Sequence, residues 1–217
     1  MEKKEKTPAQ RERDKRQLNR LQTLIDVVFG LLIIRLFMLL PHLTNPESGN
    51  FDPLVIFTEG GENFVMFFIG FVLVSIYWYQ NNKTTGNLIS TDTKHTTLSI
   101  MQLMLLLLYF YSIRLDMETQ SDVLALFMQS VFLALAGFTS VVAWVYSYKR
   151  ANLVSDAVSQ EESNEIRISI LEEPLAATLT IPFAFIGSGA WNLSWLSVII
   201  IGVFLKRRHK KRFAKLD

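Results

Sequence analysis

Apolar residues in this chain come in long blocks rather than in stripes. Segments near 21–42, 63–80, 96–115, 122–148, 168–188 and 190–206 are dominated by Leu, Ile, Val, Phe, Met and Ala. A surface helix of a soluble domain shows a narrow apolar stripe with polar residues opposite it, and these blocks lack that signature. A bilayer core of about 30 Å is crossed by roughly 20 helical residues, a length each block meets or approaches. The pattern predicts an all-α polytopic membrane protein with six transmembrane helices. The second block ends in Tyr77, Trp78 and Tyr79, which reads as an interfacial aromatic belt. The fifth begins at Glu172, Glu173 and Pro174, and proline costs little in a first helical turn, where its missing N–H would be unpaired anyway. The link "IGSGAWN" between the last two blocks is very short, so they are expected to form a tight antiparallel hairpin.

Composition supports this reading. Half of the residues are hydrophobic and 19% are charged, against about 25% charged in an ordinary soluble domain. The placement of the charges then sets the orientation. The N-terminal arm "MEKKEKTPAQRERDKRQLNR" holds eight lysines and arginines, and the tail "KRRHKKRFAKLD" holds seven. Lys83 and Lys94 lie between blocks two and three, and Lys149, Arg150 and Arg167 between four and five. The link "TNPESGNFDPLVIFTEGGEN" between blocks one and two has acids and no base. With six spans every base-rich segment falls on one side, and the positive-inside rule makes that side the cytoplasm. Both termini are therefore expected there. Only Arg35 and Arg114 fall elsewhere. The expected organisation is a basic arm over 1–20, a transmembrane domain over 21–206 and a basic tail over 207–217.

The first block is too long for a signal peptide and has no small-residue cleavage site. The basic arm is interleaved with Glu2, Glu5, Glu12 and Asp14, which argues for a solvated helical extension near anionic headgroups and against nucleic acid. "SDAVSQEESNEIR" reads as a polar, acidic, mobile loop. The chain has no cysteine, so disulfides, zinc thiolates and thiol catalysis are excluded. His42, His95 and His209 match no metal-ligand spacing. There is no phosphate-binding glycine loop, no HExxH and no GxSxG. Glu172 and Glu173 could bind a proton, but two acids at a membrane entry are more often simply hydrated. An enzyme is not expected, nor is a cofactor.

The first block, "NRLQTLIDVVFGLLIIRLFMLLPHL", carries Asp26 and Arg35. Nine residues separate them, which is about 13 Å along a helix and about 180° around it. They cannot pair with each other. Asp26 shares a face with Gly30, Ile33 and Phe37, and Gly30 would admit a close neighbouring helix. Leu31, Arg35 and Met38 share the other face at the i, i+4, i+7 spacing.

The block resembles the first span of bacterial relatives of the endolysosomal potassium channel, the transmembrane protein 175 family. In that family it opens with R-x-x-x-F-S-D. Here Arg20 and Asp26 match in register, with Leu24 and Ile25 in place of phenylalanine and serine. The family closes its second span with a tryptophan and has a histidine three residues later. This chain has Trp78 and then Asn81. "RISILEEPLAATL", with Arg167 and Pro174, is similar to the family's entry to its fifth span.

The resemblance implies a homotetramer with a central pore for monovalent ions, lined by the first span and weakly selective for potassium. It implies bulky constrictions in place of a TVGYG carbonyl filter, at Leu31, Arg35 and Met38 by register. It also implies a polar network of Arg20, Asp26, Trp78 and Asn81 between helices of one subunit. Replacing the histidine by Asn81 would remove a group that titrates near neutral pH. Arg35 complicates a cation pore, since two unit charges about 8 Å apart repel by roughly 2 kcal/mol at an effective dielectric of 20. Three readings stay open. Arg35 snorkels to the outer mouth and pairs with Asp52, Glu59 or Glu62. Or the pore passes anions through an Arg35 ring. Or the protein is a non-conducting scaffold that holds a cytosolic partner on its basic arm and tail. The expected location is a bacterial inner membrane, which the absence of cysteine and sorting signals fits.

Overall fold

A computed structural model describes residues 7–38, 40, 61–119 and 122–213. Among them the regular structure is helical. The helices are α1 (Pro8–Phe37), α2 (Gly61–Gly86), α3 (Thr93–Thr119), α4 (Val123–Tyr146), α5 (Gln160–Ser169), α6 (Glu172–Ala184), α7 (Ser188–Ser194) and α8 (Ser197–Phe213). By length and composition, three stretches among the described residues could cross a membrane: Thr93–Thr119, Val123–Lys149 and Ser188–Arg208. Helices also form over the first two apolar blocks, where α1 carries Asp26 and Arg35 in addition.

Local chemistry explains where α1 begins. Thr7 and Gln10 form a reciprocal capping box, with the Thr7 N–H donating to Gln10 Oε1 at 2.9 Å and the Gln10 N–H to Thr7 Oγ1 at 3.3 Å. Together they satisfy two backbone donors that the helix start would leave bare. Pro8 follows at the first helical position, where it is tolerated best. The helix then runs for 30 residues without interruption. From Pro8 onward the basic arm and the first apolar block are thus one rod.

The turns at the end of the bundle where α1 starts are tied together. Asp92 caps α3 by accepting from the His95 N–H at 2.8 Å, and its other oxygen accepts from the Tyr146 hydroxyl of α4. α4 ends in a π-turn, Ser147–Ala151, closed by Asn152 at φ 50. A single β-bridge joins Leu88 to Val154, with Ile89 N–H donating to Leu153 O at 2.8 Å and Ser155 N–H to Asn87 O at 2.9 Å.

Two sequence expectations change here. The stretch "SDAVSQEESNEIR", expected to be a mobile loop, forms most of α5. Ser159 caps it by accepting from the Glu162 N–H, and Glu161 and Glu162 sit in the first turn, where the helix dipole favours acids. Ile166 and Ile170, four residues apart, are fully buried against Trp144, Leu153 and Val158. The acidic composition hid an amphipathic helix. The second change concerns block five. A continuous span over 168–188 does not form, because α5 stops at Ser169 and α6 is 13 residues long, about 20 Å. Pro182 lies in its last turn, and Gly187 at φ 139 redirects the chain into α7. The hairpin expected between blocks five and six therefore contains a short helix of its own, although α6 does pack on α8.

The main core is built by α1, α2, α3, α4 and α6. It centres on Phe29, Leu32, Leu36, Tyr77, Leu106, Tyr109 and Leu133. α3 with α4 is the most extensive packing pair, followed by α4 with α6. Gly70 and Gly137 permit close approach. A Cβ on Gly70 would lie 2.5 Å from Leu36 Cδ2, and one on Gly137 would lie 2.7 Å from the ring of Pro174.

Candidate functional site

The face that α1 turns away from its own chain is the candidate site. Ile25, Phe29, Leu32 and Leu36 point into the core. Leu24, Val27, Leu31, Ile34 and Met38 point out, with Leu31 at 57% and Met38 at 67% exposure. Both sets are apolar, so the distinction comes from what packs against them and not from side-chain type. Arg35 lies on the outward side and is exposed. Its Nη1 rests 3.6 Å from Met38 Sδ, one turn further toward the C-terminal end of the helix. Asp52 and Glu59, possible partners of Arg35, lie outside the described residues, as does the side chain of Glu62.

Asp26 flanks this stripe. Its Oδ1 accepts from the Trp78 indole Nε1–H of α2 at 3.1 Å. The aspartate is exposed and the tryptophan is 44% exposed, so this pair lies at the rim of the α1–α2 contact. Trp78 can reach Asp26 because Gly70, two turns along α2, lets the two helices close on one another. The other two residues of the expected network are placed differently. Arg20 is exposed, and no hydrogen bond or ion pair joins it to Asp26 among the described residues. Asn81 is buried, and its Nδ2 donates to the Tyr77 carbonyl at 3.0 Å. Asn81 lies three residues beyond Trp78, so a helix turns its side chain about 60° away, into the α2–α3–α4 interior. Gly30, expected to admit a neighbouring helix, has no described residue within 4 Å of an added Cβ.

Sequence reasoning missed several polar ties. Gln22 Nε2 donates to the Thr85 carbonyl at 3.3 Å, which joins α1 to α2 near the base of the stripe. Gln80 Nε2 donates to Glu173 Oε2 at 3.0 Å, and Lys206 Nζ lies 3.1 Å from Glu172 Oε1. The two adjacent acids expected to be simply hydrated thus bind α6 to α2 and to α8. Gly202 leaves room for this, since a Cβ there would lie 2.9 Å from Glu172 Oε2. The signal was present in "LEEP": two acids directly before a proline in an apolar helix need partners. At the other end Gln129 Nε2 donates to Asp116 Oδ2 at 3.1 Å. Arg114, one of the two bases outside the orientation pattern, pairs with Glu118 one turn on at 2.7 Å. Among the described residues no group of three or more His, Cys, Asp or Glu side chains is placed to hold a metal ion.

The stripe lies within the part of the chain that comparison with known proteins identifies. The family model for the endosomal/lysosomal potassium channel TMEM175 matches residues 20–109. The match starts at Arg20 and runs through α1 and α2 into α3. It stops short of "RISILEEPLAATL". No curated protein matches the chain. Over residues 20–109, less than half of its length, the chain is similar to the TMEM175 family, a family of potassium channels and not of enzymes.

Proposed function

We propose that the chain is one subunit of a homotetrameric channel for monovalent cations, with α1 of each subunit lining the pore and Leu31 and Met38 forming its constrictions. One observation carries this reading. The outward face of α1 combines an apolar stripe with two exposed charges, Asp26 and Arg35. Charged groups against hydrocarbon cost several kcal/mol or are relieved by water or protein. A face bearing one charge on each side of an apolar stripe suits a water-filled axis walled by sister helices better than lipid. The stripe would then gate by bulk and by excluding water.

Arg35 fits a cation pore if its guanidinium leaves the constriction. Its position against Met38, toward the C-terminal end of α1, supports a side chain that snorkels to the outer mouth. A second reading rests on the same residue. Among the described residues no carboxylate pairs with Arg35, and a ring of bare guanidinium groups would favour anions. In either case the proposed subunit has its basic arm and tail on the cytoplasmic face of a plasma membrane, with α6 to α8 completing the outer wall of the bundle.

Reversal potentials of the purified, reconstituted protein in asymmetric KCl separate the readings. A cation-side reversal in wild type that persists in Arg35→Ala supports the cation pore. Anion preference that disappears in Arg35→Ala supports the second reading. Absence of current from wild type and from Leu31→Ala, with the oligomer intact by mass, rejects conduction.

A further inference from the structure

A small chamber lies inside the bundle, near the end where α1 starts, between α2, α3 and α4. Its walls include Asn81, His95, Gln102, Ser140, Leu88 and Trp144. The free volume open to a water molecule's centre is about 10 Å³, close to the minimum that holds one water. Gln102 is 3% exposed, and its Nε2 is buried without a hydrogen-bond partner. A bare buried amide donor costs about 1–3 kcal/mol, and nearly all such groups in folded proteins find a partner, protein or water.

The polar atoms around the chamber are complementary. His95 Nδ1 is engaged by Thr91 Oγ1 at 2.9 Å, which leaves Nε2 without a bond to any described residue. Asn81 uses its Nδ2 on the Tyr77 carbonyl, and its Oδ1 accepts from no described residue. Ser140 is buried, and its hydroxyl bonds no described residue. Residues carrying one such donor, two acceptors and one hydroxyl that can do either line the chamber from three helices. A water accepts two hydrogen bonds and donates two.

We propose that this chamber is a binding site for one ordered water. The water accepts from the Gln102 amide and the Ser140 hydroxyl, and donates to His95 Nε2 and Asn81 Oδ1. The neutral His95 tautomer then carries its proton on Nδ1, donating to Thr91. The occupant is water and not a metal cation, because the atom most in need of a partner is an N–H donor and no carboxylate lines the chamber. Its role is to join α2, α3 and α4 where their side chains do not reach one another.

The test has three parts, all on the full-length protein. An experimental structure at a resolution that shows ordered solvent should have density within hydrogen-bond reach of Gln102 Nε2 and His95 Nε2; an empty chamber overturns the proposal. In detergent, Gln102→Leu should melt several degrees below wild type, and Ser140→Ala by less. The double variant should lose less than the sum of the two, since both act through one molecule. If the chamber is dry, Gln102→Leu removes an unsatisfied donor and leaves the melting temperature unchanged or raised, and the two effects add; either result rejects the site. Where Gln102→Leu does not fold, Gln102→Met serves in its place. A melting temperature that rises in KCl over choline chloride for wild type, but not for the Gln102 variant, would show a cation in the chamber and equally refute the water.

Discussion

The two faces of α1 are nearly equal in hydrophobicity and opposite in circumstance. The inner face, from Ile25 through Phe29 and Leu32 to Leu36, is covered by α2, α3 and α4 and is almost wholly buried. The outer face, from Leu24 through Leu31 to Met38, is exposed among the described residues. Helical period alone divides them, and type of side chain does not. What separates them chemically is their edge: Asp26 and Arg35 lie on the uncovered side, and no charge enters the covered one between Ile25 and Leu36. A helix built only to fill a core or face lipid has no use for either charge. The comparison teaches that polar residues at the margin of an apolar face identify its surroundings better than the apolar residues themselves.

Substitutions can test this contrast, and the largest effect is expected on the inner face. Phe29→Ala should cost about 3–5 kcal/mol of stability, the usual penalty for an aromatic cavity in a packed core. Leu31→Ala, two residues on, should leave the melting temperature of the dissociated subunit nearly unchanged while raising open-channel current. Equal losses of stability in thermal melts of the two variants would erase the distinction between faces. A smaller effect is expected at the α1–α2 contact. Gly70→Ala puts a methyl against Leu36 and should cost about 1–3 kcal/mol through overpacking. A denaturation series showing no loss would mean that the helices separate without penalty.

The margin itself comes next. Trp78→Phe deletes the N–H that holds Asp26 and keeps most of the ring. The loss should be about 1 kcal/mol, below the usual range for a hydrogen bond to a charged group because the pair is partly exposed. Asp26→Asn should cost less than Trp78→Ala, since the amide can still accept from the indole; the reverse order in melting temperature would place the weight on charge. The smallest effect belongs to Gly30. In a lone subunit, Gly30→Ala meets nothing and should stabilise the helix by up to about 1 kcal/mol. If a sister helix lies against Gly30, the same change should weaken the oligomer, which mass measurement by light scattering would register as dissociation. These opposite signs make Gly30 the most economical probe of what covers the outer face.

Much of this architecture was legible because lipid-length apolar blocks and i, i+4 periodicity are strong local signals. The face of α1 bearing Leu31, Arg35 and Met38 followed from register, as did the separation of Asp26 from Arg35. The contact of Trp78 with Asp26 could be anticipated only through family resemblance, because the two lie 52 positions apart. Asn81 could not be placed from its motif: three residues along a helix turn a side chain far enough to exchange one neighbour for another. α5 was hidden by its composition, since two isoleucines among eight polar and charged residues look like a loop until Trp144 and Leu153 are there to receive Ile166 and, just past the helix, Ile170. Block five resisted for a different reason. Hydropathy registers how greasy a segment is, but not that Ile170 and Leu171 break the helix before it begins or that Pro182 and Gly187 end it early.

The lone rung between Leu88 and Val154 carries a mechanical implication. It stitches the turn after α2 to the turn after α4, while Gln22 hooks α1 onto the Thr85 carbonyl just before that stitch. A swing of the α1 base cannot then be a private movement of one rod: it drags a belt of loops with it and reaches α5 at the far side of the belt.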